Sequence, residues 1–380
     1  MNTRLITTDE ELISIKDSWN HLVRENSETN VPFFSWDWFY CAWLYFGKPA
    51  GQQLAVVIVE DGDQLVGVLP LVFGSKKSTG ITYRTLGFCN VGIIPRNSVY
   101  WLQNRVADSI FDAITRQIFD VKQKWDVLEL ANISNETLFH NYWLQEHLGT
   151  AIIQTKGLSS PFVLLEGLTY EQYFSKYGNK EARRRFKRNT ERFAAENKRW
   201  EMTIFESVND IQQGIDLALA VRAASWKGAF RNESYIKFYR ELFDVLAQRN
   251  EVLIPVLMLD DIPIAAEFIT GCNDCYFLHT NDYDLRFRET SPGICLLHNV
   301  LITAFERRWK LFDFTGDDYD YKKDCNTGIR YHSTFQIFHN GFKSRFIYSA
   351  KTFWLPLFRK ILRKPEPNDF ITKIERFKTK

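Results

Sequence analysis

An internal repeat is the feature that most constrains how this chain can fold. Residues 54–59 and 64–71 are apolar, partly alternating runs joined by a short turn that contains Gly62. Such a pair of runs is typical of an antiparallel β-hairpin. Residues 252–259 and 262–269 repeat the pattern in the second half of the chain. The sequence therefore predicts the same hairpin twice.

Each hairpin is followed by a predicted helix and then by a short strand. The helices are indicated by apolar residues at helical spacing, which are Ile110, Phe111, Ile114, Ile118 and Phe119 in the first half and Leu296, Leu297, Val300, Leu301, Ala304 and Phe305 in the second. The strands, residues 125–130 and 309–314, both begin with Trp. This unit, used twice, predicts an α/β fold of two tandem domains, each a mixed, mostly antiparallel sheet flanked by helices. The competing interpretation is a chance likeness between two α/β segments.

The boundary between the repeats is predicted near residues 156–161, where glycine, serine and proline interrupt the apolar pattern. We therefore expect an N-terminal domain of residues 1–158 and a C-terminal domain of residues 159–348. A basic, aromatic tail of residues 349–380 is expected to follow them.

Composition and sequence pattern limit where the protein can be located in the cell and which class of ligand it can bind. The chain has 380 residues, with 48 Lys and Arg against 46 Asp and Glu, and this balance argues against a dedicated nucleic-acid-binding protein. The first residues do not have the pattern of a secretory signal, and no apolar stretch is long enough to cross a bilayer. We therefore expect a cytoplasmic protein.

The six cysteines are scattered and are expected to be reduced, buried thiols. Cys272 and Cys275 have CxxC spacing, but a second pair at ligand spacing is missing from the sequence. Asn273 and Asp274 between them are turn-forming residues. This segment is therefore predicted to be a hairpin turn, and no metal site is expected.

Residues 288–293, Arg-Glu-Thr-Ser-Pro-Gly, lie between a predicted strand and the second-half helix. The free N–H groups of a first helical turn and the helix dipole attract a phosphate, and Gly293 would let the ligand approach the backbone. We interpret the segment as an anion-binding loop. Plain helix capping by Ser291 and Pro292 is the alternative.

This loop resembles the pyrophosphate-binding loop of the GNAT acetyltransferases, with Ser291 at the position of the first glycine. A wider set of residues resembles the CelD-like acetyltransferases, a GNAT family associated with cellulose and exopolysaccharide synthesis. This set is Phe34, Ser35 and Trp36 with Trp43, residues 67–71, Leu86 and Gly87, Arg222 with Trp226, residues 291–293, and residues 312–316 followed by Tyr321 and Lys322. The resemblance spans residues 33 to 331 and implies two fused GNAT-like domains, an architecture shared with the Fem-type aminoacyltransferases.

The resemblance implies acyl transfer from acyl-CoA, as co-substrate, to an amine or hydroxyl acceptor, in cell-envelope or exopolysaccharide biosynthesis. The second half is expected to bind the acyl-CoA, because residues 86–108 of the first half have no comparable loop before their helix. The first half is expected to shape the acceptor site. The residues expected to bind acyl-CoA are Arg288, Ser291, Gly293, Ile294, Cys295 and Lys322.

Acyl transfer to an amine needs a base for the amine proton and often an acid for the leaving thiolate. His279, on the strand before the loop, is the candidate base, and a structural histidine is the alternative. Glu267 on the second hairpin is a second candidate base. Tyr321, after the acidic segment 316–320, is the candidate acid, and a solvated turn is the alternative.

Two basic segments leave other functions open. Residues 176–199 contain ten Lys and Arg and predict an amphipathic helix whose cationic face is solvated or binds an anion. A Fem-type transferase would use that face to bind aminoacyl-tRNA. Residues 343–364 contain seven Lys and Arg, no acidic residue and several aromatics, so they either pack on the second domain or lie on an anionic membrane. A non-catalytic module of a polysaccharide assembly is the remaining alternative.

Overall fold

A computed structural model describes residues 1–25, 31–78, 80–89, 92, 94–144, 151–316, 322 and 325–354 of the chain. These residues form one sheet of 13 strands with helices on both faces. The strands are β1 (Asn2–Ile6), β2 (Gln53–Asp61), β3 (Gln64–Ser78), β4 (Ile81–Phe88), β5 (Tyr100–Trp101), β6 (Val127–Ser134), β7 (Ala151–Leu164), β8 (Trp200–Phe205), β9 (Val252–Leu259), β10 (Ile262–Cys272), β11 (Cys275–Tyr283), β12 (Leu311–Asp313) and β13 (Gly328–Phe338).

The helices surround this sheet, and several begin at side chains that cap their free N–H groups. Thr8 and Thr169 each form a capping box, and Ser35 and Asn232 cap the helices that follow them. The α-helices are α1 (Asp9–Ser14), α2 (Lys16–Glu25), α3 (Trp36–Ala42), α4 (Ala107–Asp120), α5 (Leu138–Leu144), α6 (Tyr170–Tyr177), α7 (Lys180–Ala195), α8 (Ile211–Ala224), α9 (Glu233–Ala247), α10 (Pro292–Glu306) and α11 (Phe342–Ser349).

The predicted repeat is confirmed. In the first half β2, β3 and β4 pair antiparallel, α4 follows, and β6 then pairs parallel with β4. In the second half β9, β10 and β11 pair antiparallel, α10 follows, and β12 pairs parallel with β11. The chain therefore has the predicted fold class, two tandem α/β units with mixed, mostly antiparallel sheets.

The two units form one continuous sheet because β13 and β7 lie between the first-half strand β6 and the second-half strand β12. The strand order is β1-β2-β3-β4-β6-β13-β7-β12-β11-β10-β9-β8, so β13 from the end of the chain pairs with first-half strand β6. Strand β7 lies between β13 and β12 and pairs antiparallel with both. The predicted boundary between residues 158 and 159 falls inside β7, and the division of the chain at that position stays a prediction.

The second-half strands are buried on both faces, and their alternating side chains enter two separate clusters. On β9, Ile254 and Val256 pack with helices α8 and α9, whereas Leu253 and Leu257 pack with α10. On β10, Ala265 packs on the α10 side. No helix in the described part of the chain has the length and apolar character of a membrane span.

Candidate functional site

Strands β11 and β12 diverge, and the space between them is the centre of the candidate site. The two strands pair parallel from Cys275 and Leu311 to Phe277 and Asp313, where the ladder ends. Beyond that point the side-chain hydroxyl of Thr315 donates a hydrogen bond to the Leu278 carbonyl. The open end of the two strands leaves room for a ligand to lie between them.

A cavity of about 490 Å³ fills this opening. Its walls come from the diverging strands, from the start of α10, and from the loop after α8; they include Trp226, Lys227, Leu278, His279, Asn281, Tyr283, Arg288, Ser291, Gly293, Ile294, Phe314, Thr315, Gly316 and Lys322. The volume lies in the range of small-molecule and cofactor sites. The cavity therefore brings together most of the residues that the sequence singled out.

Helix α10 points its N-terminus at this cavity. Ser291 is its N-cap and has a left-handed backbone, with φ of 51°, and Pro292 occupies the first turn. Cys295 N–H bonds back to the Ser291 carbonyl, whereas the N–H groups of Gly293 and Ile294 donate to no described residue. Two unpaired N–H groups at the positive end of a 15-residue helix favour an anion.

Gly293 is the close-approach position of this turn. A Cβ atom built on it would lie 3.0 Å from Asn281 Oδ1 and 3.3 Å from the Tyr283 ring. The contact leaves little room for a side chain between α10 and β11. Glycine here keeps the first turn of the helix close to the strand and open towards the cavity.

The other predicted acyl-CoA-binding residues differ in where the structure places them. Arg288 lines the cavity, is largely exposed, and pairs with Glu289 at 3.2 Å. Lys322 is buried and donates from Nζ to the carbonyls of Phe314 and Thr315, at 3.0 and 2.6 Å, so its charge stabilises the loop after β12. Cys295 is fully buried among α10 and α7, and its side chain does not line the cavity.

His279 is the extra residue of a β-bulge. Thr280 pairs with Phe268 and Leu278 pairs with Ile269, which leaves His279 without a partner in the β10 ladder. Its Nε2 lies 2.7 Å from Thr270 Oγ1. His279 is among the residues that line the cavity, and burial lowers the pKa of its imidazole to about 3. The side chain is therefore uncharged at neutral pH.

The first half supplies one wall around this histidine. Its ring centroid lies 4.9 Å from that of Trp38 on α3 and 6.0 Å from that of Phe33, which precedes α3. Both aromatic side chains are buried. The candidate site thus lies in the second half, and two aromatic residues of the first half pack on its histidine.

Glu267 is fully buried on the α10 side of β10, behind the cavity wall. Its Oε1 accepts a hydrogen bond from Asn281 Nδ2, and its Oε2 has no hydrogen-bond partner among the described residues. Burial raises the pKa of this carboxyl to about 8. Glu267 is therefore mostly protonated at neutral pH and reaches the cavity only through Asn281. Tyr321, the predicted acid, lies outside the described residues.

Helix α7 lies against the loop of Ser291. Arg185 donates from Nη1 to the Ser291 hydroxyl, and Asn189 donates to the Thr290 carbonyl at 2.8 Å. Arg184 and Arg188, one helical turn apart, are exposed and form no ion pair with a described residue. The predicted amphipathic helix is shorter than residues 176–199: it runs from Lys180 to Ala195, because the preceding helix α6 extends to Tyr177 and has its C-cap at Gly178. It adds cations beside the start of α10.

A buried charge cluster joins the two halves next to the site, and sequence reasoning missed it. Arg96 donates to Asp313 Oδ2 at 2.6 Å and to His332 Nε2 at 3.0 Å, while Arg330 donates to Asp313 Oδ2 at 2.8 Å. Asp313 also accepts the Thr315 N–H at 2.8 Å, which fixes the loop that lines the cavity. A lone arginine in an irregular loop carries no signal that could have identified this role.

The predicted turn at the CxxC segment is confirmed. Asn273 and Asp274 both have left-handed backbones and connect β10 to β11. No group of three His, Cys, Asp or Glu side chains within the described ranges is arranged to hold a metal ion.

Comparison with known protein families gives a match in this half of the chain. Residues 180–323 match the family model described as an acetyltransferase (GNAT) domain. Over this range the second half is similar to that family. Its matched range includes the diverging strands, the loop of Ser291 and helix α10. A search of curated proteins finds no match.

Solved structures share the fold over nearly the whole chain. FemX is similar with a TM-score of 0.60 and 12% identity, covering 90% of this chain and 98% of FemX. A protein of unknown function from Bacteroides thetaiotaomicron has a TM-score of 0.53 and 11% identity, covering 88% of this chain and 100% of its own. The C-terminal domain of a putative lysylphosphatidylglycerol synthetase from Agrobacterium fabrum has a TM-score of 0.52 and 10% identity, covering 90% and 96%. The likeness extends the shared fold to both halves around the range that matches the family model.

Proposed function

We propose that the protein is an acyltransferase that moves an acetyl or other acyl group from acyl-CoA to an amine or hydroxyl acceptor. The observation that carries the proposal is the cavity between β11 and β12, which is lined by Gly293 and Ile294, two residues whose N–H groups donate to no described residue. A thioester with a diphosphate fits such a site, because the helix N-terminus binds the diphosphate and the diverging strands hold the arm between them. The match of residues 180–323 to the GNAT family model supports the same chemistry.

In this proposal Gly293 and Ile294 bind the diphosphate, and Arg185 and Arg288 neutralise its charge from α7 and the loop. The acyl group then lies near the bulge at His279, whose ring packs on Phe33 and Trp38 of the first half. The acceptor enters from the first-half side, where the Arg96 cluster fixes the loop of Thr315.

The transfer is direct. The acceptor nitrogen or oxygen forms a bond to the acyl carbon, the carbon–sulfur bond breaks, and the bonding electrons leave with the CoA sulfur. One proton leaves the acceptor and one proton reaches the sulfur, so the products are the acylated acceptor and CoA.

His279 is the candidate for taking the acceptor proton because it lines the cavity and is uncharged. Its low pKa makes it a weak base, so orientation contributes more than basicity. Glu267 is a weaker candidate because it holds its own proton at neutral pH. Tyr321 remains the candidate acid.

A Fem-type transferase using aminoacyl-tRNA is the second candidate function, and the exposed Arg184 and Arg188 favour it. A polynucleotide would extend across α7, whereas CoA needs only the loop and its neighbours. The resemblance to the CelD-like family favours acyl-CoA and an acceptor used in exopolysaccharide or cell-envelope synthesis in the cytoplasm.

A thermal-shift panel separates these functions. Acetyl-CoA, a longer acyl-CoA and bulk tRNA are each added in large excess to the full chain. A ligand present at about 100 times its dissociation constant stabilises the fold by about 2.7 kcal/mol, so a true donor raises the melting temperature by several degrees. A shift with acyl-CoA supports the proposal, a salt-sensitive shift with tRNA alone selects the Fem-type function, and no shift with any of the three indicates a non-catalytic module.

A further inference from the structure

Helix α11 has apolar side chains on two opposite faces, although only one face packs on the protein. Its inner face carries Ile347 and Ser344, which are buried, and Ser344 donates to the Asp126 carbonyl at 2.6 Å. This contact holds the helix on the first half, beside the start of β6. The inner face therefore accounts for the docking of α11 without any contribution from its outer side chains.

The outer face is aromatic and exposed. Phe342 is 89% exposed and Phe346 is 50% exposed, and these two residues lie one helical turn apart. The helical turn that follows α11, Ala350–Trp354, adds Phe353 at 61% and Trp354 at 49%. This turn is π-helical and follows α11 directly, so the four exposed aromatic residues belong to one continuous helical segment. We call Phe342, Phe346, Phe353 and Trp354 the aromatic stripe.

The stripe is bordered by positive charge. Arg345 is exposed and forms no ion pair with a described residue. Lys343 and Lys351 contact the protein instead, because Lys343 pairs with Asp126 at 3.0 Å and Lys351 donates to Tyr83 and Gln336. Over residues 343–364 the sequence has seven Lys and Arg and no acidic residue. An exposed apolar face with a cationic border is the composition of a helix that lies in the interface of an anionic membrane.

We propose that the aromatic stripe binds the surface of a bilayer that contains anionic phospholipid. Phe and Trp side chains insert at the level of the headgroups, and the cations bind lipid phosphates. The positive charge beside the stripe favours an anionic bilayer over two other binding partners, a second copy of the chain and residues 355–364. A second copy of the chain would bring like charges together across the stripe, and residues 355–364 are themselves basic, so neither complements its border.

The test is flotation of the full chain with lipid vesicles. Vesicles of phosphatidylcholine with about one part in three phosphatidylglycerol are compared with vesicles of phosphatidylcholine alone, because the anionic lipid supplies the attraction. The stripe is removed with Phe342→Ser, Phe346→Ser and Phe353→Ser together. The matched control replaces three exposed apolar residues elsewhere, Val106→Ser, Leu138→Ser and Val208→Ser.

We expect the parent and the control to float with the anionic vesicles and the stripe variant to bind at least about tenfold less. Arg345→Glu, a single exposed change, should weaken binding to anionic vesicles and keep the fold intact. The proposal is overturned if the parent does not float, or if the stripe variant floats as well as the parent. It is also overturned if the parent is a dimer in solution and the stripe variant a monomer, since a second copy would then cover the stripe.

Discussion

Arg96 and Asp313 form a buried ion pair between the two halves of the protein. Their Nη2 and Oδ2 atoms are 2.6 Å apart, and their side chains are 7% and 0% exposed. Arg96 lies in a first-half loop, whereas Asp313 ends the strand that opens the candidate site. Because Asp313 also holds the Thr315 N–H, the pair connects the first half to the wall of the cavity.

Removing one partner of this ion pair should lower the stability of the protein markedly. Arg96→Met leaves Asp313 buried with only Arg330 beside it, so we expect a loss of about 3 kcal/mol or more in the free energy of unfolding. Urea denaturation measures the loss. The control is Arg4→Met, which breaks the partly exposed pair with Glu60 and should cost less than about 1 kcal/mol. Equal losses in the two variants would show that the buried pair has no special role.

At position 291, glycine should give a more stable protein than alanine, which is the reverse of their usual order of stability in a helix. Its φ of 51° lies in the left-handed region that costs a non-glycine residue about 1 kcal/mol. Both Ser291→Ala and Ser291→Gly lose the hydrogen bond from Arg185. Ser291→Ala keeps the cost of the left-handed backbone, whereas Ser291→Gly removes that cost. We expect the Gly variant to be more stable than the Ala variant by about 1 kcal/mol in urea denaturation. A more stable Ala variant would argue against the left-handed backbone.

Glu267 should make stability fall as pH rises. Its pKa is raised by burial from 4.5 to about 8, so between these values the folded state keeps a proton that the unfolded state has lost. The contribution of protonated Glu267 to the free energy of unfolding is fully present below pH 4.5 and is lost as the pH rises through about 8. Glu267→Gln should therefore gain stability relative to the parent between pH 5 and pH 8, by roughly a few kcal/mol.

Chemical denaturation at the two pH values measures this change, with the exposed Glu10→Gln as the control. The control difference should be the same at both pH values. If Glu267→Gln behaves in the same way as the control, the buried carboxyl is ionised at neutral pH, and its candidacy as a base would rise.

Much of the fold could be predicted because its signals are local. The hairpin of β2 and β3 shows in alternating apolar runs around Gly62, and α10 shows in the spacing of Leu297, Val300 and Leu301. The interleaving of β7 and β13 could not be predicted in the same way. Ser160 pairs with Arg330 across 170 residues of sequence, and no local pattern specifies such a partner.

The residues of the candidate site also differ in how far local sequence could predict them. The loop of Ser291 and Gly293 is a contiguous motif before a helix, so the sequence predicted where its acyl-CoA-binding residues should lie. The bulge at His279 depends on the register between β10 and β11, and the Arg96 cluster depends on two halves meeting. We also predicted from the sequence that Lys322 binds the ligand. In the structure the described contacts of its Nζ are with the carbonyls of Phe314 and Thr315.

The central claim is that acyl-CoA binds where α10 meets the cavity, and Gly293→Asp tests it. The new carboxylate would occupy the place proposed for the diphosphate and repel it, and its Cβ would lie 3.0 Å from Asn281 Oδ1. An acidic residue in a first helical turn is favourable for the helix itself. The variant should therefore fold while losing the ligand. The matched control is Gln213→Asp, which adds the same charge on the exposed first turn of α8.

The most direct measurement is calorimetric titration of acetyl-CoA into the full chain, the Gly293→Asp variant and the Gln213→Asp control. We predict binding to the parent and the control, and an affinity at least about 100-fold lower for Gly293→Asp, which corresponds to about 2.7 kcal/mol. Equal affinity of the parent and Gly293→Asp, or no binding to the parent, would contradict the assignment of this cavity to acyl-CoA.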